Sequence, residues 1–138
     1  MAPPRRALVE LHFGQLPVER INRTLDLELE PGEVIFTRSA QAHAERHHPQ
    51  DFPKCLPYVG LITQSPQFVG DDFRNAGKIE LISRIPSLGG GVLVAVTVER
   101  DRHGRYHVAS VYPVSEAKIQ NRRRQGYLKP LQGGERSI

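Results

Sequence analysis

Residues Leu25 to Glu30 (LDLELE) alternate apolar and acidic side chains with a period of two, the pattern of a half-buried strand. Pro31-Gly32 supplies a turn and Val34 to Thr37 a returning strand, so a small N-terminal hairpin is expected. Ser39 is a candidate helix N-cap, Ala40 to about His48 are fair helix formers, and Pro49 stops the run. A second helix is expected from about Pro53, with Leu56, Val59 and Ile62 along one stripe, ending before Ser65-Pro66. The period then returns to two. Lys78 to Ile85 alternates. Val92 to Val98 is apolar on both faces and predicts a central strand. Tyr106 to Val114 completes a three-stranded meander after the turn at Asp101 to Gly104. Ser115 caps a last helix from Glu116 to about Gln125, stopped by Gly126.

This order predicts an α+β fold. The N-terminal hairpin and two helices would pack on a three- to four-stranded antiparallel sheet, closed by a C-terminal helix. A length of 138 residues suits one domain, expected over residues 7–131, between a disordered lead-in at 1–6 and a disordered tail at 132–138. No apolar run approaches membrane-spanning length, and the first residues lack the apolar stretch of a signal peptide. A single cysteine, Cys55, excludes an internal disulfide and a cysteine-rich metal site, and a buried small residue is its default reading. A reducing, cytoplasmic workplace is the simplest expectation, in the producing cell or after delivery into a target cell, although secretion by a signal-less route would look the same.

Charge changes the picture more than hydropathy does. Between Arg100 and Pro130 stand eight basic residues against only Asp101 and Glu116, within an overall net charge of +4. Such a segment suits a phosphate backbone, although a solvated surface would look the same.

The chemistry concentrates in QAHAERHHPQD, residues 41–51, which holds three of the six histidines. A metal centre is disfavoured. His43 and His47 share a helix face, but no HExxH pattern and no third ligand accompany them. Acid–base catalysis fits better, because imidazole both takes and gives a proton near neutrality. His43 and His48 reach one site only if His48 leaves strict helical geometry, which Pro49 favours. A polar helix end remains the bland alternative. On the last strand, period-two geometry places Tyr106, Val108, Ser110 and Tyr112 on one face, with Lys118 one turn into the following helix. Ser110, Tyr112 and Lys118 would make a phosphate-binding corner, unless Tyr112 simply packs on that helix. His47, Arg84 and Arg122 are further candidates for substrate contact. Gly89-Gly90-Gly91 matches no nucleotide-binding fingerprint and reads as a flexible connection.

Read in order, VIFTRSAQAHAERHHP, LPYVGLITQSPQFV, KIELISRIP, VLVAVTV and VASVYPVSEAKIQNRRRQGYL resemble the phage-associated branch of the barnase–EndoU–colicin–RelE-like nucleases, over roughly Val34 to Leu131. The resemblance implies a small α+β, metal-independent endoribonuclease without a cofactor. His43 and His48 fall where that family has its helix histidines, and Ser110 and Tyr112 where it has a hydroxyl-bearing strand end. Serine at 110 in place of threonine, and the extra His47, depart from the commoner pattern and leave open which of His47 and His48 acts. The partners implied are RNA, with tRNA among the candidates, and an immunity or antitoxin protein. The alternative is a non-catalytic RNA- or partner-binding module on the same fold.

Overall fold

A computed structural model describes residues 8–71 and 77–133. Strand β1 (Leu11–Gln15) leads into helix α1 (Val18–Leu25), then β2 (Glu33–Phe36) and α2 (Arg38–His47). Two short helices, α3 (Phe52–Cys55) and α4 (Val59–Gln64), follow around a single 3-10 turn that accommodates Pro57. Strands β3 (Phe68–Asp71), β4 (Lys78–Ile85), β5 (Gly90–Thr97) and β6 (Tyr106–Ser115), helix α5 (Glu116–Arg124) and strand β7 (Leu128–Pro130) complete the chain. The seven strands form one sheet in the order β1-β2-β6-β5-β4-β3-β7, antiparallel throughout except for the β2–β6 pair.

The central strands are apolar on both faces because both are covered. On one face Val92, Val94 and Val96 of β5 and Ile79 and Leu81 of β4 meet Ile21 of α1, Ala44 of α2, Cys55 of α3 and Ile62 of α4. On the other, Leu93, Ala95, Ile82 and Phe68 meet Ile119 of α5. Ile119 is the one buried residue of that otherwise polar helix, worth about 2–3 kcal/mol by burial. Ion contacts do the rest of the docking. Arg84 makes a forked bond to Glu116 at 2.8 and 3.1 Å, and Arg122 bonds the largely buried Glu80. Arg84 and Arg123 lie over the Phe68 ring at 5.1 and 5.0 Å.

The α+β class holds, while the sheet has seven strands in place of the expected three or four. The expected N-terminal hairpin is replaced by β1, α1 and β2, with LDLELE forming the end of α1 and an irregular connection. Leu25, Leu27 and Leu29 do pack on the core, so the alternation reports real burial without a strand. The Asn22 side chain accepts from the Leu29 amide at 2.8 Å and donates to its carbonyl at 3.0 Å, doing locally what a neighbouring strand would do. Thr37, and not Ser39, caps α2, accepting from the Ala40 amide at 3.2 Å. The glycine triplet is tight where a flexible connection was expected. Gly89 takes a left-handed φ of 75° after a 3-10 turn, and a side chain on Gly90 or Gly91 would collide with the carbonyls of Val114 or Ser83. The lead-in and residues 134–138 of the tail lie outside the described residues; the Gln132 amide donates to Thr24 of α1 at 2.8 Å.

Candidate active site

Unequal strand lengths open the site. β6 has ten residues and β2 only four, and their parallel pairing is confined to Val34–Tyr106 and Ile35–His107. Beyond that point α2 packs alongside β6. Opposite β5 the register jumps from the Val96–Val108 pair to the Ala95–Ser110 pair, so Ala109 is an extra residue in β6. Such bulges re-aim side chains. Here the bulge corrects the simple period-two expectation for this strand. Tyr106, Val108 and Val111 face the large core, whereas Tyr112 and Val114 turn to the α5 side with their partners Leu93 and Gly91. Ser110 shares that face with Tyr112, opposite to Tyr106 and Val108.

A cleft of about 250 Å³ lies between the two elements, lined by His43, Ala44, His47 and His48 on one side and Ala109, Ser110, Val111 and Tyr112 on the other. α2 presents its buried Gln41 and Ala44 to the fold and leaves all three histidines exposed. Gln41 fixes the helix by donating to the Phe36 and Val9 carbonyls at 2.9 and 2.6 Å. The His43 and His47 rings, one turn apart, are 4.2 Å centroid to centroid and tilted by 48°. His48 is the C-cap and leaves helical geometry, with φ −136° and ψ 62°. Its amide still donates to the Ala44 carbonyl and its own carbonyl accepts from Phe52, both at 2.8 Å, so the departing residue is held at both ends. Its ring lies 6.4 Å from that of Tyr112, inclined by 31°.

The family model described as phage-Barnase-EndoU-ColicinE5/D-RelE like nuclease3 matches residues 12–121. The chain belongs to this family of nucleases. No curated protein and no solved structure matches the chain significantly.

In this phage-associated nuclease the cleft unites His43, His47, His48, Ser110 and Tyr112, and does not include Arg84, Lys118 or Arg122. Arg84 and Arg122 are engaged in docking α5, and Lys118 is exposed on that helix, its amide donating to the capping Ser115 hydroxyl at 3.1 Å. Among the described residues no group of three or more His, Cys, Asp or Glu side chains is placed to hold a metal ion. Cys55 is fully buried, and burial together with the nearby Asp51 charge pushes its thiol up to about 11, leaving it poorly suited to nucleophilic attack. No helix among the described residues is long and apolar enough to cross a membrane.

One polar cluster escaped the sequence reading. Asp101, in the β5–β6 turn, accepts from the amides of His103 and Arg105 through one carboxylate oxygen, at 2.8 and 3.0 Å. Its other oxygen meets Arg105 Nε at 3.1 Å and His107 Nε2 at 2.8 Å. These bonds, that from His107 foremost, hold the Asp101 carboxyl well below the usual carboxylate range. Sequence carried one faint signal: an Asp six positions before a strand histidine, across a glycine-containing turn.

Proposed function

We propose that this nuclease is a metal-independent endoribonuclease acting through two histidines. The carrying observation is the single cleft that joins three exposed imidazoles on α2 to the Ser110 and Tyr112 side of β6. One of His43 and His48 takes the proton from a ribose 2′-OH as its oxygen bonds to the adjacent phosphorus. The other protonates the departing 5′ oxygen as the P–O5′ bond breaks, giving a 2′,3′-cyclic phosphate and a free 5′-OH. Ser110 and Tyr112 donate hydrogen bonds to the phosphorane oxygens, where charge accumulates. His47, its ring tilted against that of His43, is the third cleft imidazole and contacts the substrate.

The reading is tested by incubating purified protein with RNA in EDTA and identifying the ends. Cyclic phosphate ends support it. Cutting of an all-deoxy strand at an equal rate would overturn it, since that strand has no 2′-OH. Salt-dependent RNA binding without cleavage would instead favour a binding module on the same fold.

A further inference from the structure

The Asp101–His107 pair stands on the same face of β6 as Ser110 and Tyr112. His107 points away from the large core that holds its neighbours Tyr106 and Val108, and the bulge at Ala109 returns Ser110 and Tyr112 to the side of His107. α5 covers only part of this face, over Leu93, Ala95 and Val114. Beyond it Lys78, Thr97, His107 and Ser110 remain partly exposed. The His107 side chain is 34% exposed. From the cleft at Ser110 to His107 is about 10 Å along the strand.

Turn closure does not need the imidazole. Asp101 already binds the His103 and Arg105 amides and the Arg105 guanidinium. What the 2.8 Å bond to Nε2 adds is a fixed ring, and among the described residues Nδ1 makes no hydrogen bond. The surrounding turn carries Arg100, Arg102 and Arg105 against Glu99 and Asp101, so the local charge favours an anion.

We infer that His107, oriented by Asp101, binds a phosphate next to the scissile one on an RNA strand laid along β6. The inference rests on the ribonuclease reading and extends it from one cleft to a subsite. The protonated ring donates from Nδ1 to a phosphate oxygen, and Asp101 acts as the positioning residue.

Titration of the full chain with a 2′-O-methyl RNA tetranucleotide, which cannot be cleaved, tests this through the ring signals of the histidines. The His107 and His48 signals are expected to move together. His107→Gln keeps a donor for Asp101 and removes the cation, and should lower the slope of log affinity against log salt by about one. Turnover of a dinucleotide, whose only phosphate is the scissile one, should be unchanged. If the His48 signals move and those of His107 do not, or His107→Gln leaves the salt slope unaltered, the subsite is refuted and the ribonuclease reading stands. If no histidine signal moves, both fall.

Discussion

His48 and Tyr112 meet ring to ring at 6.4 Å, inclined by 31°, although one ends a helix and the other lies mid-strand. The contact exists because β2 stops early and lets α2 close on β6, and because His48 has left the helix. If His48 is one of the proton-transferring pair, His48→Ala should lower the cleavage rate in EDTA by roughly 10²–10⁴-fold. Since the side chain is exposed, its removal should change stability by less than about 0.5 kcal/mol. His47→Ala, on the neighbouring face, should retain more activity than His48→Ala. Equal rates for His48→Ala and wild type would remove His48 from the mechanism.

Ser110→Ala and Tyr112→Phe each delete a hydroxyl from the opposite wall of the cleft. A donor that binds the phosphorane more strongly than the ground state changes kcat far more than KM. Each variant should therefore lose about tenfold to a hundredfold in kcat, with KM within about threefold, as single-turnover assays would read directly. A rise in KM alone would make these residues ordinary binding groups.

The strands that bury both faces were the most legible part of the sequence, because continuous apolar runs such as VLVAVTV have few other uses. LDLELE misled for a physical reason: its leucines are partly buried on alternate positions, yet the Asn22 side chain supplies the hydrogen bonds that a strand would need. Strands β1, β3 and β7 are only three to five residues long, and β1 and β7 take their partners from remote segments, so local pattern hardly marks them. At the site, Pro49 announced the release of His48 from the helix. The bulge at Ala109 was not visible, since it depends on register against β5. Nor were the roles of Arg84 and Arg122, whose acidic partners lie 32 and 42 residues away.

Arg122 bonds Glu80, a carboxylate largely buried in the sheet beneath α5. Arg122→Ala leaves that charge without its guanidinium and should destabilise the fold by roughly 2–4 kcal/mol, at the lower side of what breaking a buried pair costs because Arg122 is partly exposed. Adding Glu80→Gln should recover most of the loss in urea unfolding. Cleavage per folded molecule should stay within about twofold in the double variant. A large specific loss of RNA affinity, with stability unchanged, would show that Arg122 serves the substrate instead.

Asp101 sets an acid limit on the β5–β6 turn. Its carboxyl is held low by bonds from His107, from the Arg105 and His103 amides and from the Arg105 side chain. A group whose folded pKa lies below its unfolded value, about 3.9 for Asp, contributes stability that is fully present above that value and is lost as pH falls through the folded one. Asp101→Asn should therefore lower the thermal midpoint at pH 7. As pH drops below about 4 the gap to wild type should narrow, because the unfolded wild-type chain then takes up a proton that the folded carboxyl, held lower, does not yet bind. A gap that stays constant from pH 7 to pH 3 would mean that the ionised Asp101 contributes no more to the turn than an amide does.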